Sequence, residues 1–276
     1  MSARPCDADE LWLLPRCIWM SLPPLILAWT LPALPWLLKP VETINRWQYS
    51  LWICIFLPGK LLWDHMLCRM CAWTINAQDP PAEKKASSRL GCLDLAFICF
   101  NNYGELTAIL HAIHFALSPE VVWSLREISC VNVVVAFMAC FWGFDLLYAP
   151  WHLFMHHRLM YKAIHKHHHK QTSPSRGWYD TANMTPVEHL SVLVILSAVP
   201  RMVAKLLGLH ILAFLPFLFM WYSLETLNHM PYPVEFWPVS YMASMHHQHH
   251  KYLTCNYGTL SSVVDRLLGT FSKDLQ

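Results

Sequence analysis

The chain has 276 residues, of which 55% are hydrophobic and only 14% are charged, and its formal net charge is +2. A soluble domain carries about 25% charged residues, so this composition is typical of a membrane protein. It also excludes disordered, collagen-like and coiled-coil classes, which need polar or repetitive sequences. The small net charge gives no global basic field of the kind that binds nucleic acid.

Four apolar segments precede the first group of histidines and are candidate membrane spans. Residues 18–38 form an uncharged run of 21 residues, long enough to cross the hydrocarbon core of a bilayer. Residues 47–63 are a weaker candidate because Pro58, Gly59 and Lys60 interrupt the run. The others are residues 95–117, which contain Glu105, His111 and His114, and residues 128–144, prolonged past Asp145 by residues 146–151.

The connections between these segments predict an orientation. Residues 64–91 contain four Lys or Arg residues and residues 157–176 contain five. Short basic connections stay in the cytoplasm, so four spans place the N-terminus and both connections on that side. The first ten residues are acidic rather than basic, and we therefore expect no cleavable signal peptide.

Two further apolar segments, residues 190–200 and 208–224, separate the two histidine-rich stretches. The first has only 11 residues and is too short to cross a bilayer alone. If both stretches build one site, an even number of crossings must lie between them. A re-entrant hairpin or two tilted crossings would satisfy this condition, and we favour the hairpin.

The chain contains 17 histidines, and their spacing is the strongest chemical signal. The residues at helical spacing, which place their imidazoles on one helix face, are His152 and His156, then His165, His168 and His169, then His246, His249 and His250. Eight neutral imidazoles provide four nitrogens for each of two metal ions. Imidazole suits zinc, copper, iron and nickel, so the ligand type alone does not select the metal.

The spacing between the first two stretches makes a geometric prediction. His156 and His165 are nine residues apart, which puts them on opposite sides of a straight helix. If both bind one centre, the helix must break or bend between His157 and Ile164. Isolated histidines are expected to be packed core residues, and the Cys68–Cys71 pair has no second pair to complete a zinc site.

The histidine stretches and the segments around them occur in a recognisable order. The elements in sequence are Asp145-Leu-Leu-Tyr, His152-x-x-x-His156-His157-Arg158, Tyr161-Lys-Ala-Ile-His165-Lys-His-His168-His169, Pro186-Val-Glu188, Asn228-His229, His246-x-x-His249-His250, Asn256-Tyr257-Gly258 and Asp265-Arg266-Leu-Leu-Gly269-Thr270. Over this stretch, nearly half the chain, the sequence resembles the fatty acid hydroxylase/sterol desaturase family of membrane-bound di-iron oxidoreductases. It departs from that family at Thr185, where many relatives have His, and at Val264, where Trp is frequent.

The resemblance implies an all-α fold of polytopic membrane helices with a cytoplasmic helical cap that holds two iron ions. We expect an N-terminal membrane region over residues 1–127 and a catalytic region over residues 128–276. The implied iron ligands are the eight histidines at helical spacing, His229 as a ninth, and His157 as a residue that could replace or accompany His156. Candidate residues that hydrogen-bond to ligand imidazoles are Asp145, Glu188, Asn228 and Asp265.

The family uses O2 to attack an unactivated C–H bond of a membrane lipid. Such bonds offer nothing to a side-chain base or nucleophile, so the chemistry belongs to a redox metal. The resemblance implies electrons from NAD(P)H through cytochrome b5 or a similar carrier, and an endoplasmic reticulum membrane. Hydroxylation or methyl oxidation of a sterol or fatty-acyl chain is the leading activity, with desaturation second.

Two hypotheses from other classes remain open. A metal transporter would need ionisable residues along a path through the membrane, and Glu105, His111 and His114 are the one such set. A catalytically inactive relative would keep the metal as a structural element. An apolar cavity that reaches the histidines would favour the enzyme, and a sealed cluster would favour the inactive relative.

Overall fold

The computed structural model describes residues 46–74, 90–232, 234–236 and 240–273. Within them the chain is mostly helical. The helices are α1 (Arg46–Thr74), α2 (Cys92–Ala116), α3 (Ala136–Met155), α4 (Arg158–Met160), α5 (Trp178–Thr181), α6 (Pro186–Leu207), α7 (Ile211–Asn228), α8 (Ala243–Tyr252) and α9 (Val263–Leu268). A π-helical segment, Val131–Val135, leads into α3, another, Tyr161–His165, follows α4, and short 3-10 turns lie at Leu125–Glu127 and His168–Lys170. Two two-residue strand pairs complete the fold: β1 (Val121–Val122) runs parallel to β2 (Leu209–His210), and β3 (Glu235–Phe236) runs antiparallel to β4 (Tyr241–Met242).

Three of the described helices are long and apolar enough to cross a membrane: Val131–Met155, Pro186–Leu207 and Ile211–Asn228. The first overlaps the predicted span over residues 128–144 from residue 131 onwards. The predicted spans over residues 47–63 and 95–117 are helical, as α1 and α2, but do not reach this standard. The predicted span over residues 18–38 lies outside the described residues.

The prediction that residues 190–200 are too short to cross is wrong. This run belongs to α6, which has 22 residues and continues through Pro200 and Arg201. The charge ends the apolar run in the sequence but does not end the helix. Because α7 has 18 residues, both segments have the length of crossings, and a hairpin that only enters the membrane is not needed.

Local sequence signals fix both ends of α6 and the turn into α7. Thr185 is the N-cap of α6, and its hydroxyl accepts a hydrogen bond from the backbone N–H of Glu188 at 3.4 Å, while Pro186 occupies the first turn. Gly208 follows α6 with a φ of +72°, which a residue without a Cβ adopts at no steric cost. His210 then caps α7, and its ring nitrogen accepts a hydrogen bond from the backbone N–H of Leu212 at 3.2 Å.

Aromatic side chains of α3 and α7 form the centre of the core. Phe144 of α3 is fully buried and packs edge-to-face on Trp221 of α7, with ring centroids 5.8 Å apart. Phe144 also stacks on Tyr148, whose ring lies 5.2 Å from that of His152. The apolar core therefore continues directly to the end of α3 where the histidines begin.

The predicted break in the first histidine stretch is confirmed. Helix α3 ends at Met155, and His157 has an extended backbone with φ −59° and ψ 138°. The chain then resumes a helical path through α4 and the π-helical turn to His165. The break returns His165 to the side of α3 that carries His152.

Two buried carboxylates hold the C-terminal loop of residues 256–261 against α3. Asp145 accepts hydrogen bonds from the backbone N–H groups of Thr259, Leu260 and Ser261 at 2.8–3.1 Å. Asp265 accepts from the N–H groups of Tyr257 and Gly258 at 2.7 and 2.8 Å. These bonds leave little space in the loop.

Gly258 tests how tightly the loop is held. A Cβ atom there would lie 2.8 Å from the Ser261 carbonyl oxygen and 2.9 Å from Asp265 Oδ2. We expect Gly258→Ala to lower the free energy of unfolding by about 1–3 kcal/mol, the usual cost of overpacking. Gly59→Ala is the control, because among the described residues no atom outside the backbone of its own helix lies within 4 Å of a Cβ at that position. Thermal unfolding in detergent measures both; equal midpoints for the two variants would contradict the tight loop.

Candidate metal centre

Nine histidines converge in two groups whose ligand nitrogens lie within 4.8 Å of one another. The first group is His152, His156, His165, His169 and His249, and the second is His168, His229, His246 and His250. All are buried except His156, which is half-buried. The groups adjoin, since the rings of His169 and His250 have centroids 4.6 Å apart.

Every histidine predicted from helical spacing enters one of these groups, as does His229. The division between groups differs from the prediction of four ligands each, because the groups contain five and four. Each triplet also divides. His165 and His169 join one group and His168 joins the other. On the α-helix α8, His246 and His250 join one group and His249 the other, because residues four apart share a helix face more closely than residues three apart.

Most of these imidazoles are oriented through Nδ1 by an acceptor. Backbone carbonyl oxygens of Tyr257, Cys255 and Gln171 lie 2.8, 2.7 and 2.8 Å from Nδ1 of His152, His249 and His250 respectively. The Glu188 carboxylate lies 2.7 Å from His165 Nδ1, and the Glu225 carbonyl and Thr181 hydroxyl each lie 2.9 Å from His229 Nδ1. An acceptor on Nδ1 places the ring proton there and leaves Nε2 with a free lone pair.

In the pair formed by His152 and His165, the Nε2 lone pairs of the two rings point towards each other. Both Nδ1 atoms donate to an oxygen, and the two Nε2 atoms are 2.9 Å apart. Two lone pairs at this separation repel each other unless a cation lies between them. Nitrogens about 2.1 Å from one metal ion and at right angles are about 3.0 Å apart. The arrangement therefore fits a metal ion.

The same close approach recurs around both groups. In the first, Nε2 of His169 lies 2.8 Å from that of His165 and 3.1 Å from that of His249. In the second, Nε2 of His246 lies 3.1 Å from both His229 and His250. Each group thus offers one set of convergent nitrogen donors, compatible with one metal ion per group.

Only one of the four predicted imidazole partners touches an imidazole. Glu188 does so, through His165. Asp145 and Asp265 instead accept backbone N–H groups of the C-terminal loop, and the side-chain amide of Asn228 donates to the Thr259 carbonyl at 2.9 Å. These three residues act on the histidines indirectly, because that loop supplies the Tyr257 carbonyl that orients His152.

Residues beside the two groups have other roles. His157 is exposed and belongs to neither group. His167 lies 2.9 Å from Asn183 Oδ1 and 3.1 Å from an oxygen of Asp94. Cys68 and Cys71 form no part of either group, and the sulfur of Cys68 lies 3.8 Å from the Tyr232 hydroxyl.

Burial keeps these imidazoles neutral at physiological pH. Desolvation lowers the pKa of His156 to about 4. Desolvation, with the neighbouring His156, lowers the pKa of His249 to about 3. The pKa values of His165, His168, His246 and His250 are also well below the ordinary value, chiefly because these rings are buried. Neutral imidazole is the form that binds metal.

These shifts set a pH dependence for the metal-free protein. The unfolded chain binds protons at these histidines near the ordinary pKa of 6.5, whereas His156 and His249 accept them only near 4 and 3 in the fold. The unfolded state therefore binds more protons between these values, and the free energy of unfolding falls as the pH drops below about 6.5. We expect the thermal midpoint of metal-stripped protein to decline from pH 6.5 to 4, and His249→Gln to decline less steeply. A midpoint that stays constant over this range would refute the neutral, buried state.

Comparison with known proteins identifies the domain that carries these groups. Residues 137–270 match the family model described as fatty acid hydroxylase. Two curated relatives named fatty acid hydroxylase domain-containing protein 2, from Macaca fascicularis and Homo sapiens, are 30% and 29% identical over 157 residues. The match covers 55% of this chain and 40% of each relative, so the chain spans less than half the length of these relatives. No solved structure matches the chain. The resemblance to the fatty acid hydroxylase family is confirmed, and the residues that match its model, 137–270, include all nine histidines.

Proposed function

We propose that the chain is a membrane-bound di-iron oxidoreductase that uses O2 to oxidise a C–H bond of a membrane lipid. The observation that carries the proposal is the convergence of nine neutral nitrogen donors, in two adjoining groups, at the end of an apolar helix long enough to span a membrane. Hydroxylation or methyl oxidation of a sterol or fatty-acyl chain is the proposed reaction. Desaturation by the same centre is the alternative within the family.

The two groups of histidines would hold one iron ion each. Bound iron supplies the activation of O2 and the electron transfer that side chains cannot provide. The acceptors on Nδ1 fix each ring's tautomer and direction, so the nitrogens are in place before any metal arrives. Burial of both groups keeps bulk water away from them.

Two tyrosines enclose the first group. The Tyr257 ring is buried, and its centroid lies 5.1–5.7 Å from those of His152, His156 and His249. Tyr161 is half-buried and its ring centroid lies 5.5 Å from that of His156. These rings restrict the access of solvent to the half-buried side of the group.

The proposal extends to an electron carrier of the cytochrome b5 type, supplied by NAD(P)H. The segment between the first histidine stretches exposes Arg158, Lys162 and Lys166, and Lys170 follows with 55% of its side chain accessible. This basic surface suits an acidic carrier, and by the positive-inside rule it would face the cytoplasm. We also propose an endoplasmic reticulum location and a division into a membrane region, 1–127, and a catalytic region, 128–276.

Two other hypotheses are a metal transporter and a catalytically inactive relative. Glu105 pairs with Lys60, and the cavity whose wall includes Glu105 and His111 is mostly apolar rather than a polar path, so the transporter hypothesis gains no support. A cavity between α1, α2, α6 and α7 has none of the nine histidines in its wall. This cavity therefore gives the enzyme no direct support, and activity must be measured and not assumed from the metal.

Metal content is the first test. We expect about two metal ions per chain in detergent-purified protein, one for each group of donors. The double variant His168→Ala, His249→Ala removes one ligand from each group and should lose most of the metal. His157→Ala is the matched control, because this exposed residue lies outside both groups. Zinc must be counted with iron, since it also binds imidazole well. Absence of metal after a reducing, iron-replete preparation would refute the di-iron mechanism.

The reaction is tested by lipid profiling under ¹⁸O2. A lipid that gains one ¹⁸O atom indicates hydroxylation, and a lipid that only loses two hydrogens indicates desaturation. We expect Glu188→Gln to lower product formation about 10- to 100-fold, because the neutral amide orients and polarises His165 less well. Glu120→Gln, at an exposed position, should leave it unchanged. Metal-loaded protein that yields no O2-dependent product would support the inactive relative.

A further inference from the structure

A cavity of about 590 Å³ lies between α1, α2, α6 and α7. Its volume is in the range of small-molecule binding sites, roughly 300–1,000 Å³. Its wall is mostly apolar, and the polar exceptions are Glu105, His111, Ser197, Arg201 and Tyr222. Because no ligand histidine lines it, the cavity is a site apart from the metal centre.

The cavity is elongated along the helices. Its wall on α2 extends from Glu105 to Ala116, and its wall on α6 extends from Leu190 to Arg201. Eleven residues of α-helix rise about 16 Å. One leaflet of a bilayer's hydrocarbon core is about 15 Å thick, half of the usual core. The cavity therefore has the length of one extended lipid chain in a single leaflet.

Arg201 provides a charge at one end of this apolar space. It is half-buried on a helix long enough to span the membrane. One guanidinium nitrogen donates to the Ser197 carbonyl oxygen at 2.8 Å and to the Ser197 hydroxyl, and the guanidinium carbon lies 4.9 Å from the centroid of the Phe115 ring. Within the part of the chain that the structure describes, no carboxylate forms an ion pair with it. A cation in such surroundings is costly and is usually functional.

The charge at the other end is already compensated inside the protein. The carboxylate of Glu105 pairs with Lys60, which also donates to Asn102 at 2.9 Å and lies 3.5 Å from the centroid of a Trp178 ring. The hydroxyl of Tyr222 donates to Asp64 at 2.6 Å. These groups need no ligand. Arg201 is the lining charge that lacks an opposite charge among the described residues, and His111 lies close enough to interact with it electrostatically.

We propose that this cavity binds a single-chain lipid with an anionic headgroup, such as a long-chain carboxylate. The planar guanidinium of Arg201 would bind the carboxylate through two parallel hydrogen bonds, with His111 as a further donor. The chain would lie between α2 and α6, towards Leu190 and Trp221. This site does not depend on the proposed oxidation, and its test requires neither metal nor turnover.

The test is equilibrium binding of palmitate to the full chain in detergent, with methyl palmitate as the uncharged analogue. We expect palmitate to bind at least about tenfold more tightly, the equivalent of one charge-assisted contact. Arg201→Gln should remove this preference. Lys205→Gln is the matched control, because Lys205 is one turn further along α6, exposed and outside the cavity wall. It should keep the preference.

A second variant separates loss of the charge from loss of the fold. Ala112→Trp fills the cavity and leaves Arg201 in place, so it should abolish palmitate binding while the thermal midpoint stays close to that of the parent. Equal binding of palmitate and its methyl ester, unchanged binding by Arg201→Gln, or retained binding by Ala112→Trp would each overturn the proposal. Displacement of palmitate by an equal concentration of phosphatidylglycerol would overturn it as well, because the site would then bind a bulk lipid headgroup.

Discussion

The structure depends on holding many imidazole nitrogens close together in a largely buried space. His152 and His165 show the constraint most clearly: each uses Nδ1 to donate to an oxygen, and their Nε2 atoms then meet at 2.9 Å. Such a contact between lone pairs is unfavourable without a cation. The rest of the fold must therefore hold the rings in place although their Nε2 lone pairs repel each other. A bound metal ion would replace that repulsion with attraction, so that metal binding would stabilise the fold.

The positioning comes from backbone as much as from side chains. Three carbonyl oxygens, of Tyr257, Cys255 and Gln171, orient one histidine each. The position of a backbone carbonyl oxygen depends on how firmly its segment of the chain is held. Asp145 and Asp265, both fully buried, fix the loop that carries Tyr257 through five backbone N–H groups. Charge buried in α3 and α9 thus stabilises the direction of an imidazole that neither carboxylate touches.

The sequence predicts the ligand candidates far better than their surroundings. All eight histidines predicted from helical spacing lie in the two groups. His156 and His165 would lie on opposite sides of a straight helix, which requires the break that the structure has at His157. Asp145 was expected to contact an imidazole and does not, because carbonyl oxygens occupy that position and leave no side-chain signature. The length of α6 was also missed, since Arg201 ends an apolar run without ending a helix.

Arg201 and Glu188 differ in how the cost of an ionisable side chain in apolar surroundings is offset. Both are ionisable residues on one helix, α6, in apolar surroundings, where an isolated charge is costly. Glu188 is fully buried and has a partner within the fold, because His165 lies 2.7 Å away. Arg201 faces a cavity that is long and apolar, and its described neighbours offer a carbonyl, a hydroxyl and a ring but no anion. Helix α6 thus satisfies one ionisable side chain with a hydrogen bond inside the fold and leaves the other beside a cavity of lipid length. This arrangement favours a ligand that brings its own negative charge.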